Sequence, residues 1–429
     1  MGSVGEKMFR LCMRLFPLCR SITGDGVRNT FKILQDIVPE ITIHEVPTGT
    51  KAFDWTVPKE WKIRDGWIKN SKDEKIIDFR KLNLHIMGYS IPVNKKVSLK
   101  ELKNYIYTQP DQPDAVPYVT SYYKERYGFC MCQNQLDSLP EDTYHMYIDS
   151  ELFEGSLTYG ELIIPGETEQ EVLFSTYICH PSMANNELSG PAVSIFLAKW
   201  LLSLPKRKYT YRFVYIPETI GSITYLSQGG HLAAMKKNTI AGWNISCVGD
   251  DRTYSFIESR YGNTLSDKVS KNVLRFIDSE YKSYSYLYRG SDERQYCAPG
   301  VDLPVCSICR SKYGEYPEYH TSNDNLELIS PNGLEGSYNA YCQCIQILEH
   351  NEKYIIQCLC EPQLGKRGLY PSVSEKGNYD EVRAMNDFIA YADGINDLID
   401  ISEIIGVSVK KLFPVIEKLL LCGLIKKIE

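Results

Sequence analysis

The sequence predicts an α/β chain, with a β-rich interruption near its start and a helical tail at its end. Three observations carry that reading. The apolar run 172–177 leads through a polar loop into residues 191–198, which read as a helix with Pro191 near its first turn. Runs 211–216, 243–249 and 303–308 repeat the apolar strand pattern between helical stretches. His180, Glu218, Asp250 and His320 follow these four runs, where open α/β sheets build their sites. Each alone reads as an ordinary polar loop residue. Four together, on four strand-end loops, can converge on a hydrolytic metal.

The elements follow in chain order. Residues 5–37 read as two short helices joined at Pro17 and at the 23–26 turn, with Asp25 able to cap the second. Residues 40–46 alternate as an edge strand of the main sheet. From about 52 to 150 the composition shifts: Trp55, Trp61 and Trp67 fall here, with Tyr105, Tyr107, Tyr118, Tyr122, Tyr123 and Tyr127. Short β-rich stretches separated by Pro and Gly turns predict a small inserted β-rich domain. Its aromatic density is the mark of a domain core or subunit interface, so a homo-oligomer is expected; a sugar-stacking platform is the alternative. From 157 the strand and helix alternation returns. Residues 267–277 have helical periodicity, and 337–356 read as one long helix closing the core. In the tail, a helix at 381–392, helices at 398–406 and 409–422 and a strand at 424–428 follow the winged-helix order.

Composition bounds the function. A chain of 429 residues with 43% hydrophobic residues holds two or three domains with a sizeable core. A net charge of −6 gives no sign of a nucleic-acid or anionic-membrane partner. Residues 381–429 carry six basic and eight acidic side chains, a poor match to phosphates, so a structural or interaction role is expected of the tail. No apolar run approaches the roughly 20 residues that span a bilayer. Glu6, Lys7 and Arg10 interrupt the first helix-like stretch, unlike a signal peptide, and a cytoplasmic location is expected. The 14 cysteines then read as reduced, mostly buried thiols. Cys306-Ser307-Ile308-Cys309 is the one C-x-x-C and lacks the second pair that a cysteine-zinc site needs.

The order of motifs is itself informative. His180-Pro181, then Asn186-Glu187-Leu188-Ser189-Gly190, then Glu218, Asp250, Ser291-Asp292 and finally His320-Thr321-Ser322-Asn323-Asp324 resembles the co-catalytic zinc aminopeptidases. Over nearly its full length the chain is similar to an uncharacterised bacterial family, sometimes named as polysaccharide-biosynthesis-associated. Segments 16–24, 217–221, 249–252 and 361–367 carry that likeness together with the His180 loop. The resemblance implies a three-layer zinc-exopeptidase-like core from residues 1–51 and 151–361, an inserted β-rich domain at 52–150 and a winged helix at 362–429.

The resemblance also implies roles. His180, Asp250 and His320 stand at metal-ligand positions, with Glu218 as general base or ligand and Asp292 and Asp324 orienting the histidines. Arg252, Arg260 and Arg294 are candidate clamps for a substrate carboxylate. Asn186 stands where the enzymes place the Asp that bridges two zinc ions. A carboxamide has one neutral acceptor oxygen and an NH2 donor, so one zinc is favoured over two. The expected function is zinc-dependent hydrolysis of a peptide or amide bond in a small substrate. Two other classes stand beside it. One is a catalytically impaired or binding protein on the same fold, favoured by Asn186 and by Thr219 after Glu218. The other is a DNA-binding regulator, suggested by the tail alone.

Overall fold

The computed structural model describes residues 2–369 and 378–428. The chain packs into two units, Met1–Gly262 with Lys282–Tyr338, and Asn263–Tyr281 with Asn339–Glu429.

The first unit is built on an eight-stranded sheet. Its strands lie in the order Thr42–Pro47, Ser156–Ile164, Thr210–Ile216, Glu171–Tyr177, Thr239–Asn244, Val305–Cys309, Ser255–Ile257 and Lys282–Tyr284. The four central strands, 210–216, 171–177, 239–244 and 305–309, run parallel. Strand 171–177 is buried at every position, as an apolar run inside a covered parallel sheet must be. It pairs with strand 210–216 on one side and strand 239–244 on the other, so the chain reverses its direction of travel there. Ligands bind at such a switch point, beyond the carboxyl ends of the strands. Helix Ser189–Ser203 follows strand 171–177, and a π-helical turn, Ala184–Leu188, precedes it. Such turns are frequent at functional sites.

The β-rich segment forms a separate four-stranded sheet, in the order Lys75–Asp78, Glu60–Lys69, Thr143–Phe153 and Val93–Ser98. It has its own apolar cluster around Ile68, Phe129, Tyr144 and Met146. Trp61 and Tyr89 belong instead to the cluster beneath the main sheet, with Tyr159, Leu173 and Tyr177.

In the second unit helices Asn378–Tyr391, Leu398–Ile405 and Val409–Leu421 stand with a three-stranded sheet, ordered Asp393–Asp397, Lys353–Ile356 and Ile425–Ile428. One expectation is corrected here. The helix read to residue 356 ends at His350, and Lys353–Ile356 is the central strand of this small sheet. Asn351 stops the helix: its side chain donates to Asp397 and accepts the backbone N–H of Ile399. Among the described residues no helix is long and apolar enough to cross a membrane.

Candidate metal centre

Three strand-end loops bring His180, Glu218 and His320 to one cleft of about 430 Å³. The His180 and His320 rings lie 5.3 Å apart, and Glu218 Oε2 is 3.7 Å from His180 Nε2. Asn186 Oδ1 is 3.2 Å from His320 Nε2, while its Nδ2 donates to the Tyr177 hydroxyl. The backbone is strained here: Ser182, Thr219, Cys247 and His320 all have positive φ. Such conformations cost about 1–3 kcal/mol each and persist where the surroundings impose them.

Burial, then the nearby Arg20 charge, pushes the His180 pKa down to about 3. Burial, then His180 itself, lowers His320 to about 3. Both imidazoles are therefore neutral at pH 7, the form that ligates metals. Burial, then the negative charge of Asp292, raises Glu218 to about 8, with Arg294 opposing.

The carboxylate on His180 is one that sequence reasoning passed over. His180 Nδ1 lies 3.0 Å from Glu187 Oε2, which assigns the ring proton to Nδ1 and leaves the Nε2 lone pair facing the cleft. Glu187 is fully buried and faces Arg20 Nε at 3.6 Å; Arg20 also donates to the carbonyls of His180 and Leu15. The signal for this pair was present in the 16–24 motif, but Glu187 neighbours Asn186, and only the π-helical turn aims both inward. Cys179, His180 and Glu187 form a compact donor group, with ligand atoms within 4.8 Å of one another. That group already has its cation in Arg20.

Asp292 and Asp324 do not touch the histidines. Asp292 Oδ1 accepts from the Thr219 N–H and the Ser222 hydroxyl, so it holds the turn that carries Glu218. Asp324 accepts backbone N–H bonds from Ala184, Asn185 and Asn186 and a bond from the Tyr316 hydroxyl, so it holds the turn that carries Asn186. Asp250 is a correction. Its carboxylate accepts from Asn185 Nδ2, the Ser311 N–H and hydroxyl and the Arg252 N–H, which leaves no oxygen turned to the cleft. The strand ends at Asn244 rather than at residue 249, and a positive φ at Cys247 carries the chain away. Arg252 pairs with Glu318, and Arg260 with Asp302. Arg294 alone of the three lines the cleft, donating to the Thr219 hydroxyl.

The β-rich segment supplies one wall of the cleft. Tyr118, Thr120, Tyr122, Tyr123 and Trp55 line the cleft. The Tyr118 ring lies 5.1 Å from His180 and 5.2 Å from His320, and its hydroxyl bonds that of Tyr122 at 2.7 Å. A short antiparallel contact secures this wall. Tyr118 N–H donates to His320 O, and Ser322 N–H to Val116 O.

The donor types suit one zinc ion, two imidazoles beside a carboxamide oxygen. Ligand atoms on a tetrahedral zinc with bonds of about 2.0–2.1 Å stand about 3.3 Å apart. The Asn186–His320 separation of 3.2 Å is close to that value. A bridged pair of ions fits less well, because Asn186 brings no charge and Asp250 lies elsewhere.

Comparison with known proteins agrees with this architecture. A chain from Clostridium acetobutylicum named "Putative polysaccharide biosynthesis protein with aminopeptidase-like domain" is 47% identical over 96% of this chain and 94% of that one. A crystal structure of a "putative peptidase" from Clostridium acetobutylicum superposes with a TM-score of 0.92 at 46% identity, covering 99% of this chain and 96% of that one. The Bacillus subtilis zinc aminopeptidase BSAP shares the fold, with a TM-score of 0.59 at 12% identity over 80% of this chain and 94% of that one. A winged helix-turn-helix family model matches residues 353–427. The model of a domain of unknown function, DUF4910, matches residues 9–351, and the chain belongs to that family, with an aminopeptidase-like α/β core and a C-terminal winged helix.

Proposed function

We propose that this chain is a zinc-dependent hydrolase of peptide or amide bonds that works with one ion. The observation that carries the reading is the convergence of His180, His320 and Glu218 on one cleft. His180, His320 and the Asn186 carboxamide oxygen would hold the ion, leaving a position open to substrate. A zinc there supplies Lewis acidity toward water and the amide carbonyl. Glu187 keeps the His180 lone pair turned to the cleft. Glu218, whose ionised form the charge of a bound cation would favour, takes a proton from water at Oε2 and returns it to the leaving nitrogen. Asp292 keeps the Glu218 turn in place for that transfer.

Metal analysis of protein purified without chelator should find about one zinc per chain. His180→Ala with His320→Ala should abolish it without unfolding the chain. Glu218→Gln should keep the zinc and lower amide hydrolysis by about 10²- to 10⁴-fold. Asn186 also favours a second reading, a binding protein that has lost the chemistry. A wild-type chain that purifies without metal and hydrolyses no amide would select it.

A further inference from the structure

The charges around the cleft restrict what can enter it. Glu218 is the one carboxylate among the described residues that line it, and Arg294 the one guanidinium. A peptide with a free N-terminus brings an ammonium group that is mostly protonated at pH 7, and that cation needs an acidic partner when it leaves water. The neighbouring acids are committed elsewhere. Glu187 is spent on Arg20 and His180, Asp324 holds the turn at 184–186, and Asp292, whose Oδ1 is turned to Thr219 and Ser222 and whose Oδ2 is unpartnered, is fully buried and does not line the cleft. An ammonium ion paired with Glu218 would occupy the group that must accept a proton. Arg294 repels it further, and its buried Nε has no hydrogen-bond partner, a donor that calls for a carbonyl or hydroxyl oxygen.

The mouth of the cleft points to the rest of the ligand. Trp55 is 37% exposed and Tyr123 55% exposed, with their rings 5.7 Å apart, edge to face. Hydroxyls of Thr120 and Tyr122 stand in the same wall. The exposed face of Trp55, flanked by Tyr123 and hydrogen-bonding groups, suits a ring with an apolar C–H face and a hydroxyl edge.

We infer that the substrate is an N-acylated amino sugar, in which the amide nitrogen is uncharged and the saccharide ring stacks on Trp55 with Tyr123 at its edge. This rests on the amide-hydrolase reading and names its substrate class. The bond broken would be the acyl C–N bond. Water supplies the hydroxyl to the acyl carbon and a proton to the leaving amine, and no other reactant is needed.

Calorimetry on the full chain at pH 7, with N,N′-diacetylchitobiose, its fully deacetylated counterpart and triglycine, tests the inference. The acetylated disaccharide should bind at least about tenfold more tightly than the other two. Trp55→Ala should weaken that binding about tenfold or more, and Trp55→Phe should retain most of it. Equal or tighter binding of either free amine, or an unchanged affinity in Trp55→Ala, would overturn the inference. Zinc content of the same samples separates the two readings. A metal-free chain that still prefers the acetylated sugar would support the ligand assignment and remove the hydrolase.

Discussion

Asn186 and Glu187 decide, between them, what kind of centre this fold can hold. Two dications a few Å apart repel strongly unless a shared carboxylate offsets them. Asn186→Asp should therefore raise the zinc content from about one toward two per chain, read by metal analysis and zinc titration calorimetry. Two equivalent tight sites in the unmodified protein would refute this. Glu187 carries a different cost. It and Arg20 are both fully buried; burial pushes the Glu187 carboxyl up, and the Arg20 charge opposes that shift and favours the carboxylate. Arg20→Met leaves that acid without its cation and should destabilise the chain by about 3–5 kcal/mol. Arg20→Met with Glu187→Gln should recover much of the loss, as measured by urea unfolding. Equal losses in both variants would show that the pair contributes packing rather than charge.

At the scale of elements, the ion pair between Arg28 and Glu60 ties helix Asp25–Gln35 to the start of strand Glu60–Lys69 at 2.6 Å. Burial alone would raise the Glu60 pKa. Hydrogen bonds from Arg28 and the Ser156 N–H, together with the Arg28 charge, outweigh it and hold the pKa below the ordinary value. A depressed carboxylate contributes stability above its unfolded pKa and loses it as the pH falls through the folded one. Glu60→Gln should therefore lower the urea midpoint at pH 7. The gap from the parent should close below about pH 4. A gap that stays constant with pH would assign the effect to packing. The Tyr118 wall is an element of the same kind. Neither its hydrogen bonds to the His320 loop nor its place beside both imidazoles could be read from spacing, because the two segments lie about 200 residues apart and meet through two backbone hydrogen bonds. Backbone groups are alike in every residue and leave no trace in composition.

For the whole molecule, the winged helix-turn-helix at residues 353–427 raises the question of nucleic acid. Its helix Val409–Leu421 exposes Lys410, Lys411 and Lys418, but Lys418 pairs with Glu381, and the segment from 381 to 429 remains net acidic. We expect no electrophoretic shift of a random duplex at 150 mM salt, on the order of physiological ionic strength. A salt-dependent shift at micromolar protein would restore the regulator reading.

The strand and helix order was legible because apolar runs and helical periods are local, and the loops of His180, Glu218 and His320 followed the runs that preceded them. His180, Glu218 and His320 could be picked out for the same reason. Asp250 could not be placed, because the end of strand Thr239–Asn244 and the turn at Cys247 are set by partners at Ser311 and Asn185 rather than by local pattern. The sequence by itself determined the α/β core, the winged-helix tail and the absence of a bridging carboxylate at Asn186. Only the tertiary structure decided that Glu187 orients His180, that Asp292 and Asp324 hold turns, and that Tyr118 closes the cleft. These roles depend on where side chains from distant segments point once packed, and burial and long-range hydrogen bonds set that direction.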